Sequence, residues 1–212
     1  GARDVPEAVA LTSTEKTALA AMVKSGKPIF IDDTADDRRW SPGSRRIEWV
    51  RSFAAAPLFK RDEPFLLHNV DVLSKIPLDG LVETHRAARE HSAGQSVASL
   101  AVQSRNSSRL LLFDSPGLLG WENRGTDGEV RASHHVREPL GVLERRSFTG
   151  IHVLEPAVFA LSNRTGTFSI ITLYLELAAR GYGISPIDVT AHEWMDVGTP
   201  ERLEQARTQA RW

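Results

Sequence analysis

Cysteine is absent from the 212 residues, which excludes disulfides, thiolate metal sites and a cysteine nucleophile. Neither sign of charge is in excess, because 26 Lys and Arg stand against 27 Asp and Glu, a formal net charge of −1. A dedicated nucleic-acid binder would carry a large basic surplus, so that class is set aside. No apolar run approaches the roughly 18 residues of a membrane-spanning helix. The opening Gly1-Ala-Arg-Asp4 lacks the apolar stretch of a secretory signal. A cytoplasmic protein is the expectation, with neither membrane nor nucleic acid as partner; oligomeric state is left open. Methionine occurs only at 22 and 195, as expected of a processed or trimmed chain. Walker A, Gly-x-Gly-x-x-Gly, Gly-x-Ser-x-Gly and His-Glu-x-x-His motifs are all missing.

What is present reads as an ordinary globular domain, with 41% hydrophobic and 25% charged residues. Thr12-Ser-Thr-Glu15 is a capping box that opens a helix ending at Gly26. Pro28 to Asp32 and Arg46 to Val50 read as short strands, and Phe53 to Phe59 as a helical turn. The Arg-rich stretch from Arg38 to Arg51 is broken by acidic residues and reads as a solvated face. Pro64 to Asp71 is an apolar run ending in polar residues, the pattern of a buried strand whose end opens into a site. Helices are expected over 78–90, 168–180 and 200–210, with a short one after Pro156. Strands are expected over 97–102, 109–113, 148–154 and 184–189, with another beginning at Leu118. The alternation predicts an α/β protein: a Rossmann-like, mostly parallel sheet flanked by helices, with a small β-hairpin insertion near 97–131.

Two carboxylates stand out. Asp71 ends the apolar run, and Asp196 sits in Trp194-Met-Asp-Val-Gly198, read as a turn before the last helix. A pair of strand-end carboxylates suits Mg²⁺, which takes oxygen ligands and shares them with phosphates; equally, each Asp could simply cap a turn. His134 and His135 are adjacent, so in a strand they would face opposite sides, and a surface loop is the simpler reading. His68 reads as a core histidine or a pocket residue. Trp121-Glu-Asn123 offers polar groups suited to sugar hydroxyls, although a hairpin turn explains them equally well.

Six segments in one order carry a resemblance. They are Pro64-Phe-Leu-Leu-His-Asn-Val-Asp-Val72, Ser108-Arg-Leu-Leu-Leu-Phe-Asp114, Gly120-Trp-Glu-Asn123, Ser147-Phe-Thr-Gly-Ile-His-Val153, Phe168-Ser-Ile-Ile171 and Asp196-Val-Gly-Thr-Pro-Glu201. Together they resemble the later two-thirds of the sugar-phosphate nucleotidyltransferases, the nucleoside-diphosphate-sugar pyrophosphorylase family. The small mannose-1-phosphate guanylyltransferase-like and N-acetylmuramate-1-phosphate uridylyltransferase-like members are the most similar. The resemblance implies a Rossmann-like sheet and transfer of a nucleotidyl group from an NTP to a sugar 1-phosphate, releasing pyrophosphate. It implies Mg²⁺ on Asp71 and Asp196, and a sugar pocket lined by Thr149, Gly150 and Asn123.

The family's Gly-rich loop with its Arg, its Pro-Lys-Pro segment and its Thr-Gly-Gly motif have no match in residues 1–52. Thr172 stands where the family carries an Asp. The expected organisation is therefore an atypical or truncated nucleotide-binding part over 1–52 and a nucleotidyltransferase-like core over 53–212. A non-catalytic descendant that binds a sugar phosphate or a partner subunit is the alternative. A metal-dependent transferase using a nucleotide-sugar donor is a third reading.

Overall fold

The computed structural model describes residues 63–164 and 168–209 in full, together with the backbone of 29–31 and 53–55. The chain divides into two units, one of residues 1–61 with 162–169 and one of residues 62–161 with 170–212. In the first, β1 (Ile29–Ile31) pairs antiparallel with β2 (Phe53–Ala55). β2 thus replaces the start of the helical turn expected there. The helix expected to end at Gly26, the strand over 46–50 and the Arg-rich stretch lie outside the described residues.

The second unit holds β3 (Phe65–His68), β4 (Val72–Ser74), α1 (Leu78–His91), β5 (Ser96–Gln103), β6 (Arg109–Asp114) and β7 (Gly117–Arg124). It continues with β8 (Val130–His135), β9 (Glu144–Leu154), α2 (Ala157–Leu161), α3 (Ile170–Ala179), β10 (Gly183–Asp188), β11 (Trp194–Asp196) and α4 (Pro200–Thr208). The main sheet runs β10-β5-β9-β6-β7-β8, and β3 also pairs with β9.

The α/β class with flanking helices matches expectation, and the pairing adds detail. Only β10–β5 is parallel among the described pairs of this sheet; the others are antiparallel. The reason lies in β9, which enters the sheet antiparallel and is long enough to serve two neighbours in turn. Its first residues pair with β6, Arg146 opposite Leu111, and its last with β3, Leu154 opposite Phe65. The β6-β7-β8 meander is the expected hairpin insertion. His134 and His135 belong to its exposed edge strand rather than to a loop.

Period-two alternation divides the core between the two faces of the sheet. Leu100 and Val102 of β5 and Leu154 of β9 pack with Leu173, Tyr174 and Leu177 of α3. Ala101, Ile151 and Val153 face the other way, toward Leu81 of α1. Each fully buried Leu or Ile contributes about 1.5–3 kcal/mol relative to exposure. On the α1 face a polar pin crosses the core: His85 Nδ1 lies 2.9 Å from Ser99 Oγ and His85 Nε2 lies 3.0 Å from Glu155 Oε1. All three residues are buried, and a neutral ring serves both partners, accepting the hydroxyl and donating to the carboxylate. Burial is also the main reason the His85 pKa falls below its ordinary value.

Candidate functional site

The two aspartates meet through two strands of three residues each. β11 pairs antiparallel with β4, Asp196 opposite Val72, and the Val197 N–H donates to the Asp71 carbonyl at 2.7 Å. Trp194 to Asp196 is therefore a strand and not the expected turn. It converts a separation of more than a hundred residues into adjacency. Gly198 lies between the carboxylates: a methyl group at its Cα would stand 3.0 Å from Asp71 Oδ2 and 3.1 Å from Asp196 Oδ1. The Gly198 N–H donates to Asp196 Oδ1 at 2.8 Å, and Arg202, in the first turn of α4, reaches Asp196 Oδ2 at 2.9 Å. Thr199 caps that helix by accepting from the Arg202 N–H, and Pro200 begins it, which fixes where Arg202 emerges.

The same turn is tied to β9. Asn69 donates its backbone N–H to the Gly150 carbonyl at 3.0 Å, and its side chain lies over Gly150, whose φ is +83°. A Cβ at Gly150 would come within 2.7 Å of Asn69 Nδ2, so the position requires glycine both for its backbone and for its neighbour. Thr149 is buried, its hydroxyl donating to the Ala101 carbonyl at 2.8 Å. Its outward contribution is its own carbonyl, which accepts the Trp194 indole N–H at 2.8 Å.

Arg105, in the loop after β5, covers Trp194 with its guanidinium 4.1 Å from the ring centre, and its Nη2 donates to the Phe148 carbonyl at 3.3 Å. Partial burial pulls its pKa down; the nearby Asp196 opposes this and Arg202 adds to it. These three charges thus feel one another across the site.

Asp71, Asp196, Thr149 and Gly150 are brought together with Asn69, Trp194, Gly198, Arg105 and Arg202. Asn123 is not part of this cluster. It sits half-buried on β7, between Arg109 and Ala132, and β6 separates its strand from β9. Beside it Glu122 is buried, receiving Arg124 at 2.6 Å and Arg145 at 3.0 Å. His68 is exposed rather than buried, with Nδ1 2.7 Å from the Asn69 carbonyl. Arg105 carried no sequence signal, standing alone in a Ser- and Asn-rich loop. Gly198 could have been found, because it directly follows Asp-Val in the segment already marked.

The donor set at Gly198 suits a hard divalent cation. Two carboxylates converge on a volume kept open by a missing side chain, and neither is buried in apolar surroundings. Among the described residues no group of three or more His, Asp or Glu gathers as a closed metal cage. Mg²⁺ commonly takes one or two carboxylates and completes its shell with water and substrate phosphates, so an open pair is compatible with it.

No protein-family model matches the chain, and no curated protein matches it. Among solved structures it is similar to an inositol-1-phosphate CTP transferase from T. maritima, with 15% identity and a TM-score of 0.46. It is also similar to an apo-UDP-glucose pyrophosphorylase, with 15% identity and a TM-score of 0.42. Each likeness covers 71% of this chain, which spans 56% of the other.

Proposed function

We propose that the chain acts as a sugar-1-phosphate nucleotidyltransferase, joining a nucleotidyl group from an NTP to a sugar 1-phosphate with release of pyrophosphate. The observation that carries this reading is the convergence of Asp71 and Asp196 about Gly198. Their positions in the sequence are those the resemblance assigns to metal ligands. Asp71 and Asp196 would hold Mg²⁺, whose charge offsets that of the phosphates. Gly150 and Asn69, packed against each other, would form the floor beside the carboxylates. Thr149 acts through its carbonyl, which orients Trp194, while Asn123, on β7 beyond β6, is left out of the proposed site. Chemistry of this kind needs positioning and charge neutralisation more than covalent help, so a site of carboxylates and guanidinium groups without a nucleophile is adequate to it.

The test is pyrophosphate release by the full chain with Mg²⁺, each common NTP and a panel of sugar 1-phosphates. The expected result is release that requires both substrates and falls at least about a hundredfold in Asp71→Asn and Asp196→Asn. Folded protein that releases no pyrophosphate but still binds a sugar 1-phosphate would replace this reading with a non-catalytic binding role.

A further inference from the structure

Arg105 is an unusual cation. Among the described residues it forms no ion pair, and its polar contact is a 3.3 Å bond to the Phe148 carbonyl. Its guanidinium nevertheless has a defined place against the Trp194 ring, on a residue that remains exposed. The ring is itself fixed by the Trp194 Nε1 bond to the Thr149 carbonyl, and the Ser147 hydroxyl donates to the Arg105 carbonyl at 3.3 Å. A long side chain with no carboxylate partner ordinarily gains entropy by moving in water. Here stacking and two flanking strands hold it in advance, leaving several N–H donors unspent. Arg202 supplies a second guanidinium, held at Asp196 Oδ2 at 2.9 Å, two residues along β11 from Trp194.

We propose that Arg105 and Arg202 form the anion-holding half of this site and bind a phosphate group beside the Asp71 and Asp196 carboxylates. The proposal rests on the nucleotidyltransferase reading only in assigning that phosphate to a substrate or to released pyrophosphate. Two guanidinium groups match phosphate oxygens in planar, paired hydrogen bonds, which a lysine at either place would not reproduce. The carboxylates do not repel the anion once a divalent cation lies on them. Such a cation competes for the Asp196 oxygen that Arg202 now occupies, and releases Arg202 toward the anion. Phosphate affinity should therefore rise with Mg²⁺, and by linkage Mg²⁺ affinity should rise with phosphate.

Calorimetric titration of the full chain with sodium pyrophosphate, and separately with inorganic phosphate, tests this with and without Mg²⁺. Arg105→Ala is expected to weaken pyrophosphate binding at least about tenfold, with Arg105→Lys in between. Arg145→Ala, on β9 and engaged with Glu122, should bind as the unaltered chain does. Wild-type affinity in Arg105→Ala overturns the proposal, as does equal weakening in Arg145→Ala or no saturable binding by the unaltered chain. Tighter binding of pyrophosphate than of phosphate points to the leaving group, and the reverse to a phosphate monoester. Arg105-dependent binding without pyrophosphate release would sink the catalytic reading and leave the anion site standing. Turnover with unchanged kcat and KM in Arg105→Ala would do the opposite.

Discussion

The indole N–H of Trp194 donates to the carbonyl of Thr149 at 2.8 Å, joining β11 to the middle of β9 across 45 residues of chain. This bond ties the Asp196 segment to the main sheet, alongside the bonds from Gln103 Nε2 to the Val189 and His192 carbonyls. β11 has only three residues, and its ladder with β4 alone would be marginal.

Trp194→Phe keeps a ring under Arg105 but removes the N–H donor and leaves the carbonyl of buried Thr149 without it. A loss of about 1 kcal/mol in urea unfolding is expected. Weaker anion binding should accompany it, because the ring is then free to turn. Unchanged stability together with unchanged anion binding would show that β11 is held by its ladder instead.

Gly198→Ala isolates crowding at the carboxylates. Gly198 does not have the positive φ that would bar alanine, so the added methyl acts through contacts of 3.0 and 3.1 Å with the two aspartates. Mg²⁺ affinity is expected to fall about 10–100-fold, with the unfolding transition hardly moved. Unaltered Mg²⁺ affinity would mean the cation does not sit between these side chains.

Gly150→Ala combines two penalties, a side chain at φ +83° and a Cβ 2.7 Å from Asn69 Nδ2. Together they should cost about 1–3 kcal/mol. Adding Asn69→Ala removes the collision but not the backbone strain, so the double variant should recover part of the loss. A double variant less stable than Gly150→Ala would contradict this division.

Stability should fall as the solution is acidified from about pH 6.5 to 4. His152 is 4% exposed beneath Tyr174, whose hydroxyl lies 2.7 Å from its Nδ1, and burial lowers its pKa from 6.5 to about 4. The same burial raises the Tyr174 pKa. The unfolded chain therefore takes up the His152 proton before the folded one does. Its contribution is complete above pH 6.5 and is lost as pH falls toward 4, on the order of 3 kcal/mol. His85 is also depressed and acts in the same direction. Asp114, held below its ordinary value chiefly by Arg137, contributes only at lower pH. Urea unfolding at several pH values checks this. The double variant His152→Phe with Tyr174→Phe should flatten the profile, and an unflattened one would shift the effect to other groups.

Much of the second unit was legible from local pattern. The apolar run of β5, the alternation within β9 and the apolar helix α3 each appear in the sequence, because an element longer than a turn repeats its own period. Asp71 was legible as a candidate because it closes a recognisable apolar run, and Asp196 because it stands in a marked segment just before the last helix. β4 was not foreseen and β11 was read as a turn, since three residues carry no period and their pairing comes from contact with one another. Thr149 was expected to line a pocket, but its hydroxyl is buried against β5. Its neighbours in the sequence do not reveal that the Ala101 carbonyl takes its hydroxyl.

The sequence by itself determined the class of the fold and the faces of its long strands and helices, because burial of apolar surface follows from periodicity alone, and it marked two acidic residues as candidates. The tertiary structure decided that these acids share one site, that glycine keeps the space between them open, and that Arg105 and Arg202 stand beside them. Those facts depend on β9 serving β3, β5 and β6 along one length and on β4 meeting β11. Long-range pairing of this kind is a property of the packed chain and leaves no mark in any local stretch of it.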